Sequence, residues 1–216
     1  ENSKIHDVYH LNLASNDAIT SGSGDDQLIS WVNDANFKVR GAMVARTDGG
    51  FDLMVRKNEE TDWKKIITWD LENSLTSGPV SFSKDGNCIY LIDSRDANAG
   101  RLVKMEIATG NIEVIAEDPQ YDVSGVMIHP DTYKIQAVSF YRARNEWVVL
   151  DESIKGDFKA IAKLDHGDFF VYNRDNADDT WLLGFTKDNG PVPFYAFDRK
   201  RQKGTFLFDH QPDLNN

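Results

Sequence analysis

Cysteine is nearly absent: Cys88 is the single one in 216 residues. No intrachain disulfide can therefore form, and the stability of the fold has to come from packing. Cys88 stands in an apolar run beside Ile89, where a buried and unreactive thiol is expected, because a nucleophilic thiol needs a base beside it. Long apolar runs are missing too. No stretch approaches 18 uninterrupted apolar residues, and Glu1-Asn2-Ser3-Lys4 shows neither the basic head nor the apolar run of a signal peptide. The expectation is a soluble chain, cytoplasmic or periplasmic.

Basic residues are in the minority. The 24 Lys and Arg face 35 Asp and Glu, a net charge of -11 that repels phosphate backbones and anionic lipid surfaces. Neither nucleic acid nor a membrane is expected as a partner, while a neutral or cationic ligand remains compatible. There is no Walker loop and no dinucleotide fingerprint. Nor is there a Gly-x-Ser-x-Gly elbow: Ser21-Gly22-Ser23-Gly24 only resembles one and is expected to be a loop between strands.

What is present is apolar bulk and a repeat. At 40% hydrophobic and 11% aromatic, the chain can bury a sizeable core. Alternation of period two dominates and period 3.6 is scarce, so strands are expected with few or no helices. A strand-and-turn unit recurs about every 45 residues, the length of a four-stranded propeller blade. One copy runs from Ser77-Gly78-Pro79-Val80-Ser81-Phe82-Ser83-Lys84-Asp85-Gly86 into Cys88–Asp93 and Arg101–Ile107. The next begins at Asp122-Val123-Ser124-Gly125-Val126.

The expected fold is all-β: a β-propeller region with a partial blade at 1–26 and four-stranded blades at about 28–70, 77–118, 122–164 and 167–210. Asp48-Gly49-Gly50, Asp85-Gly86 and Ala108-Thr109-Gly110-Asn111 are read as hairpin turns in which glycine supplies positive φ. Since 1–26 holds two strands and the last blade looks complete, the chain is expected to be an arc of a larger ring.

Few residues invite a chemical reading. His6 and His10 are four apart, but on a strand they stand about 13 Å from each other, too far for one zinc ion. Asp175-Asn176-Ala177-Asp178-Asp179 lacks the spacing, central glycine and terminal glutamate of a calcium loop and reads as a polar hairpin loop. Asp198-Arg199-Lys200-Arg201-Gln202-Lys203-Gly204 reads as a charged turn. Tyr141-Arg142-Ala143-Arg144-Asn145-Glu146-Trp147 has the composition of an interface, with a hairpin tip and an inward Trp147 as the favoured reading. No residue of 1–216 is assigned a catalytic, cofactor-binding or metal-binding role, and no cofactor is expected.

Several segments carry a family resemblance: Trp31-Val32-Asn33-Asp34, Phe37-Lys38-Val39-Arg40, Trp63-Lys64-Lys65-Ile66, Phe82-Ser83-Lys84-Asp85-Gly86, Val149-Leu150-Asp151, Thr180-Trp181-Leu182 and Phe206-Leu207-Phe208. The stretch from Gly190-Pro191-Val192-Pro193-Phe194 to Asp209-His210-Gln211-Pro212 is the most telling. Together they resemble the propeller region of prolyl oligopeptidase-family serine peptidases, near the acylaminoacyl and dipeptidyl peptidases. The resemblance implies a two-domain enzyme for short peptides. A C-terminal α/β-hydrolase domain with a Ser-Asp-His triad would follow downstream, and the propeller would cap it and gate entry. No triad position lies within 1–216, so this portion alone is expected to be inactive. Two other functions stay open on the residues themselves: a stand-alone scaffold binding a protein or peptide, and a carbohydrate-active propeller with carboxylates at its channel.

Overall fold

The structure, a computed structural model, describes residues 7–12, 14–15, 18–22 and 28–215. These form antiparallel sheets in which each strand lies beside its sequence neighbour, as short hairpin connections dictate. The chain divides into two compact units, Glu1–Val123 and Ser124–Asn216.

In the first unit β1 (Val8–Leu11) pairs with β2 (Ala18–Gly22). A four-stranded sheet follows, β3 (Leu28–Asn33), β4 (Val39–Ala45), β5 (Phe51–Val55) and β6 (Lys64–Trp69). A second comprises β7 (Gly78–Phe82), β8 (Cys88–Asp93), β9 (Arg101–Glu106) and β10 (Ile112–Ala116). One core joins the two sheets: Met43, Leu53, Val55, Ile67 and Trp69 from β4, β5 and β6 pack with Phe82, Ile89, Leu91, Val103 and Met105. Leu53, Trp69, Phe82, Ile89, Leu91 and Val103 are fully buried. Deleting one such large side chain costs about 3–5 kcal/mol. Cys88, at the start of β8, is half-buried.

The second unit is built from β11 (Val123–Ile128), β12 (Ile135–Tyr141) and β13 (Asn145–Val149), then α1 (Lys155–Ile161), then β14 (Asp168–Arg174), β15 (Thr180–Thr186), β16 (Pro193–Asp198) and β17 (Lys203–Asp209). Its core is aromatic. Phe158 of α1 meets Trp147, Phe169 and Trp181 edge-on at centroid separations of 5.7, 5.2 and 6.3 Å, arrangements that add to plain burial.

The four larger sheets lie where the 45-residue repeat places them, and the first-to-second-strand turn of each holds a residue in the left-handed region: Phe37 (φ 59°), Gly86 (67°), Tyr133 (57°) and Asp178 (55°). Gly49 (88°) and Gly110 (78°) fill the same need in later turns.

Two expectations are corrected. Residues 122–164 were expected to make four strands, but the third sheet has three, and after β13 the chain runs into a 3₁₀ turn at Glu152–Ile154 and then α1. The cause is local. The Asp151 carboxylate accepts the Ser153 N–H at 2.9 Å and starts the turn. Beyond it Ile154, Phe158 and Ile161, at helical spacing, turn one apolar face inward. The second correction concerns Ser21 and Gly22, expected in a loop, which belong to β2; Ser23 and Gly24 lie outside the described residues. Among the described residues no helix is long and apolar enough to cross a membrane.

Candidate functional site

In the first unit a cleft of about 570 Å³ opens where the start of β4 and the end of β5 meet the β7–β8 and β9–β10 turns. Its lining includes Arg40, Arg56, Lys57 and Lys64 against Asp62 and Glu106, so it is locally basic in a chain whose net charge is -11. The two arginines are committed to the framework. Arg40 Nε donates to the Arg56 carbonyl at 3.1 Å and Nη2 to the Gly86 carbonyl at 3.0 Å; Nη1 stands 3.6 Å from Asp34 Oδ2, and the guanidinium lies 5.0 Å from the Phe82 ring centre. Arg56 Nε donates to the Val39 carbonyl at 2.8 Å and Nη1 to the Glu59 carbonyl at 3.1 Å, with the guanidinium 4.5 Å from the Trp63 ring. Each guanidinium thus ties neighbouring backbone segments together with charge-assisted hydrogen bonds. Lys57 and Lys64 are exposed at the rim.

The second unit also holds smaller hollows. One, about 300 Å³, lies between β11 and β14, bounded by Met127, Ile128, Trp147, Val171 and Arg174. Another, about 410 Å³, is bordered by Arg144, His166, Asp168, Lys187 and Asp188. Asp165 beside it accepts Lys187 Nζ at 2.8 Å and the Tyr195 hydroxyl at 2.8 Å.

The segments singled out in the sequence fall into place individually. Trp147 packs inward: its indole N–H donates to the Phe169 carbonyl at 3.1 Å and its ring stacks on Phe169. Arg142 pairs with Glu146 and Arg144 with Asp188, leaving Tyr141 exposed. In Asp175–Asp179, the Asp175 carboxylate accepts the N–H groups of Asp179 and Thr180, Asp179 pairs with Lys200, and Asp178 is buried against arginines. Arg199 leaves the charged turn 198–204 to reach Asp157 and Asp178. His6 and the side chain of His10 lie outside the described residues. Among the described residues no three His, Cys, Asp or Glu side chains are grouped to hold a metal.

The arginine clamps were not visible in the sequence, because their partners are remote. A spacing does connect them: Arg40 to Gly86 and Arg174 to Ile128 are each 46 residues apart, one repeat length.

No protein-family model matches the chain. It is 32% identical over 209 residues to dipeptidyl aminopeptidase BIII of Pseudoxanthomonas mexicana, a match that spans 97% of this chain and 30% of that protein. The chain is related to the propeller region of prolyl oligopeptidase-family peptidases. A solved prolyl endopeptidase is similar with a TM-score of 0.62 at 12% identity, over 94% of this chain and 30% of the other. TolB of Acinetobacter baumannii gives 0.57 at 13% identity, over 94% of this chain and 49% of that one. At these identities the likeness shows the fold alone, and that fold is the β-propeller. The chain spans about 30% of the length of the curated relatives it matches.

Proposed function

We propose that this chain is the substrate-selecting, non-catalytic propeller portion of a serine peptidase that hydrolyses short peptides, the Ser, Asp and His being supplied by an α/β-hydrolase domain elsewhere in the protein. The match to a dipeptidyl aminopeptidase along nearly the whole chain carries the reading. Its physical basis is exclusion by size. A propeller encloses a narrow channel, and such a channel above an active site admits an extended peptide and turns away a folded chain. The cleft beside Arg40 and Arg56, lined by four cationic side chains against two carboxylates, accords with a portion that binds and selects.

Residues 1–216 and the full-length protein should be assayed side by side on a dipeptide amide, a longer peptide and a folded protein. The expected result is no hydrolysis by the short chain. The full protein should cleave the peptides, be blocked by a serine-directed reagent and spare the folded substrate. Robust hydrolysis by residues 1–216 that the same reagent abolishes would refute the proposal.

A second reading is a stand-alone propeller scaffold that binds a protein or peptide, with which the charged cleft of the first unit also accords. The reading frame beyond Asn216 separates the two. A Gly-x-Ser-x-Gly elbow followed by Asp and then His supports the peptidase; an early stop codon supports the scaffold.

A further inference from the structure

Three of the four larger sheets cover their third strand with a fourth: β5 with β6, β9 with β10 and β16 with β17. The exception is β13, the edge of the sheet β11-β12-β13. Its pairing with β12 runs from Tyr141↔Asn145 through Ser139↔Trp147 to Ala137↔Val149 without a bulge. Beyond the two ends, the Arg142 N–H donates to the Arg144 carbonyl at 3.0 Å and the Leu150 N–H to the Gln136 carbonyl at 2.8 Å. Hydrogen-bonded and non-bonded residues alternate along an antiparallel pair. Arg144, Glu146, Val148 and Leu150 therefore bond toward β12, and the backbone groups of Asn145, Trp147 and Val149 point to the open side. The Asn145 N–H is taken by Asp168 Oδ2 at 3.1 Å. Among the described residues the N–H groups of Trp147 and Val149 have no hydrogen-bond partner.

The open edge thus presents a repeating donor and acceptor pattern with a spacing of about 7 Å, two residues of strand. Val148 and Leu150 beside it are exposed at 41% and 40%, and Glu146 is exposed as well. An unpaired edge flanked by apolar side chains is a template for strand addition.

We propose that the free edge of β13 docks an extended peptide of about five residues, neutral or cationic, which adds as the fourth strand of this sheet. The other sheets indicate what the occupant must carry. In β6 the buried Ile67 and Trp69 alternate with the exposed Thr68, and Val148 and Leu150 are cross-strand neighbours for similar apolar side chains. A second copy of the chain is disfavoured, because the net charge of -11 opposes self-pairing. The proposal does not rest on the peptidase reading.

Hydrogen exchange of the chain, with and without a capped synthetic hexapeptide of the β6 sequence Lys-Lys-Ile-Ile-Thr-Trp, tests the proposal. In the free chain the amides of Trp147 and Val149 should exchange faster than those of Glu146 and Val148, and saturating peptide should slow them selectively. Val149→Pro removes one outward donor at an edge that tolerates proline and should weaken peptide binding about tenfold, the loss of one hydrogen bond. Val148→Lys keeps the test decisive if the proline variant fails to fold: it puts like charge beside the cationic peptide and should weaken capture. Trp147 and Val149 amides already protected in the free chain would overturn the proposal, as would peptide that leaves them unchanged or binding that neither substitution moves. Protection that grows with chain concentration without peptide would assign the edge to a second copy and overturn it as well.

Discussion

The indole N–H of Trp181 donates to Asp178 Oδ1 at 2.7 Å, and the same carboxylate holds Arg199 Nη1 at 2.7 Å and Arg174 Nη1 at 3.2 Å. The two guanidiniums lie 4.7 and 5.5 Å from the centre of the Trp181 ring. Asp178 thereby bridges two cations, and Asp157, 2.8 Å from Arg199 Nη2, supplies the second negative charge. Burial pushes the Arg174 pKa below its ordinary value; Asp178 opposes that push and the nearby Arg199 adds to it.

Removing the Asp178 carboxylate leaves the buried Arg174 without an anionic partner, while Arg199 keeps Asp157. Asp178→Ala should therefore cost about 3–5 kcal/mol, the range for breaking a buried ion pair from one side. Denaturant unfolding measures it. Asp179→Ala, whose partner Lys200 is exposed, should cost less than about 1 kcal/mol; equal losses for the two would refute the assignment.

A related device in the first unit makes stability depend on acid. Trp69 Nε1 donates to Asp93 Oδ1 at 3.0 Å, and Arg95 grips both carboxylate oxygens. Burial alone would raise the Asp93 pKa, but the hydrogen bonds from Arg95 and Trp69 outweigh it and hold the group below the usual carboxylate range. A depressed folded pKa contributes stability above the unfolded value of about 3.9 and loses it as pH falls through the folded value. Asp93→Asn should flatten the acid limb of the stability-against-pH curve, and an unchanged limb would rule out this role.

The legible part of the fold was the part encoded locally. Period-two alternation and the turn residues Asp85-Gly86 placed the strands expected at Cys88–Asp93 and Arg101–Ile107 to within a residue. The helix at 155–161 was encoded as well, in Ile154, Phe158 and Ile161 at helical spacing behind the capping Asp151, but the repeat length argued for a strand there and concealed it. The cleft and the ionic centre were not legible. Arg40 meets Gly86 and Arg199 meets Asp157 only after folding, so the charged residues of 175–179 and 198–204 looked like solvated turns although two of them, Asp178 and Arg199, turn inward.

At the cleft, Gly86 is constrained twice. Its φ is 67°, and an added Cβ would lie 2.0 Å from Arg40 Nη1. Left-handed backbone costs about 1–2 kcal/mol for an ordinary residue, and displacing Arg40 adds to that. Gly86→Ala should then destabilise the first unit by about 2 kcal/mol or more. A double-mutant cycle with Arg40→Ala isolates the clash, since the alanine at 86 should cost less once the guanidinium is gone. Strict additivity would show that Arg40 is not what the new Cβ meets.

The strongest pH signature on the alkaline side belongs to Tyr195. Burial, and then the hydrogen bond and charge of Asp165, raise its pKa to about 12, with the hydroxyl 2.8 Å from Asp165 Oδ2. The folded state therefore favours the neutral phenol. Because the unfolded value is about 10, the associated stability is fully present below that pH and is lost as pH rises toward about 12. Asp165→Asn keeps the side-chain shape and removes the negative neighbour, so Tyr195 should ionise at a lower pH. Ultraviolet titration of the wild type, Asp165→Asn and Tyr195→Phe identifies the group: the phenylalanine variant should lose the last tyrosine transition, and the asparagine variant should move it toward neutrality. A last transition that ignores both substitutions would show that another tyrosine is responsible.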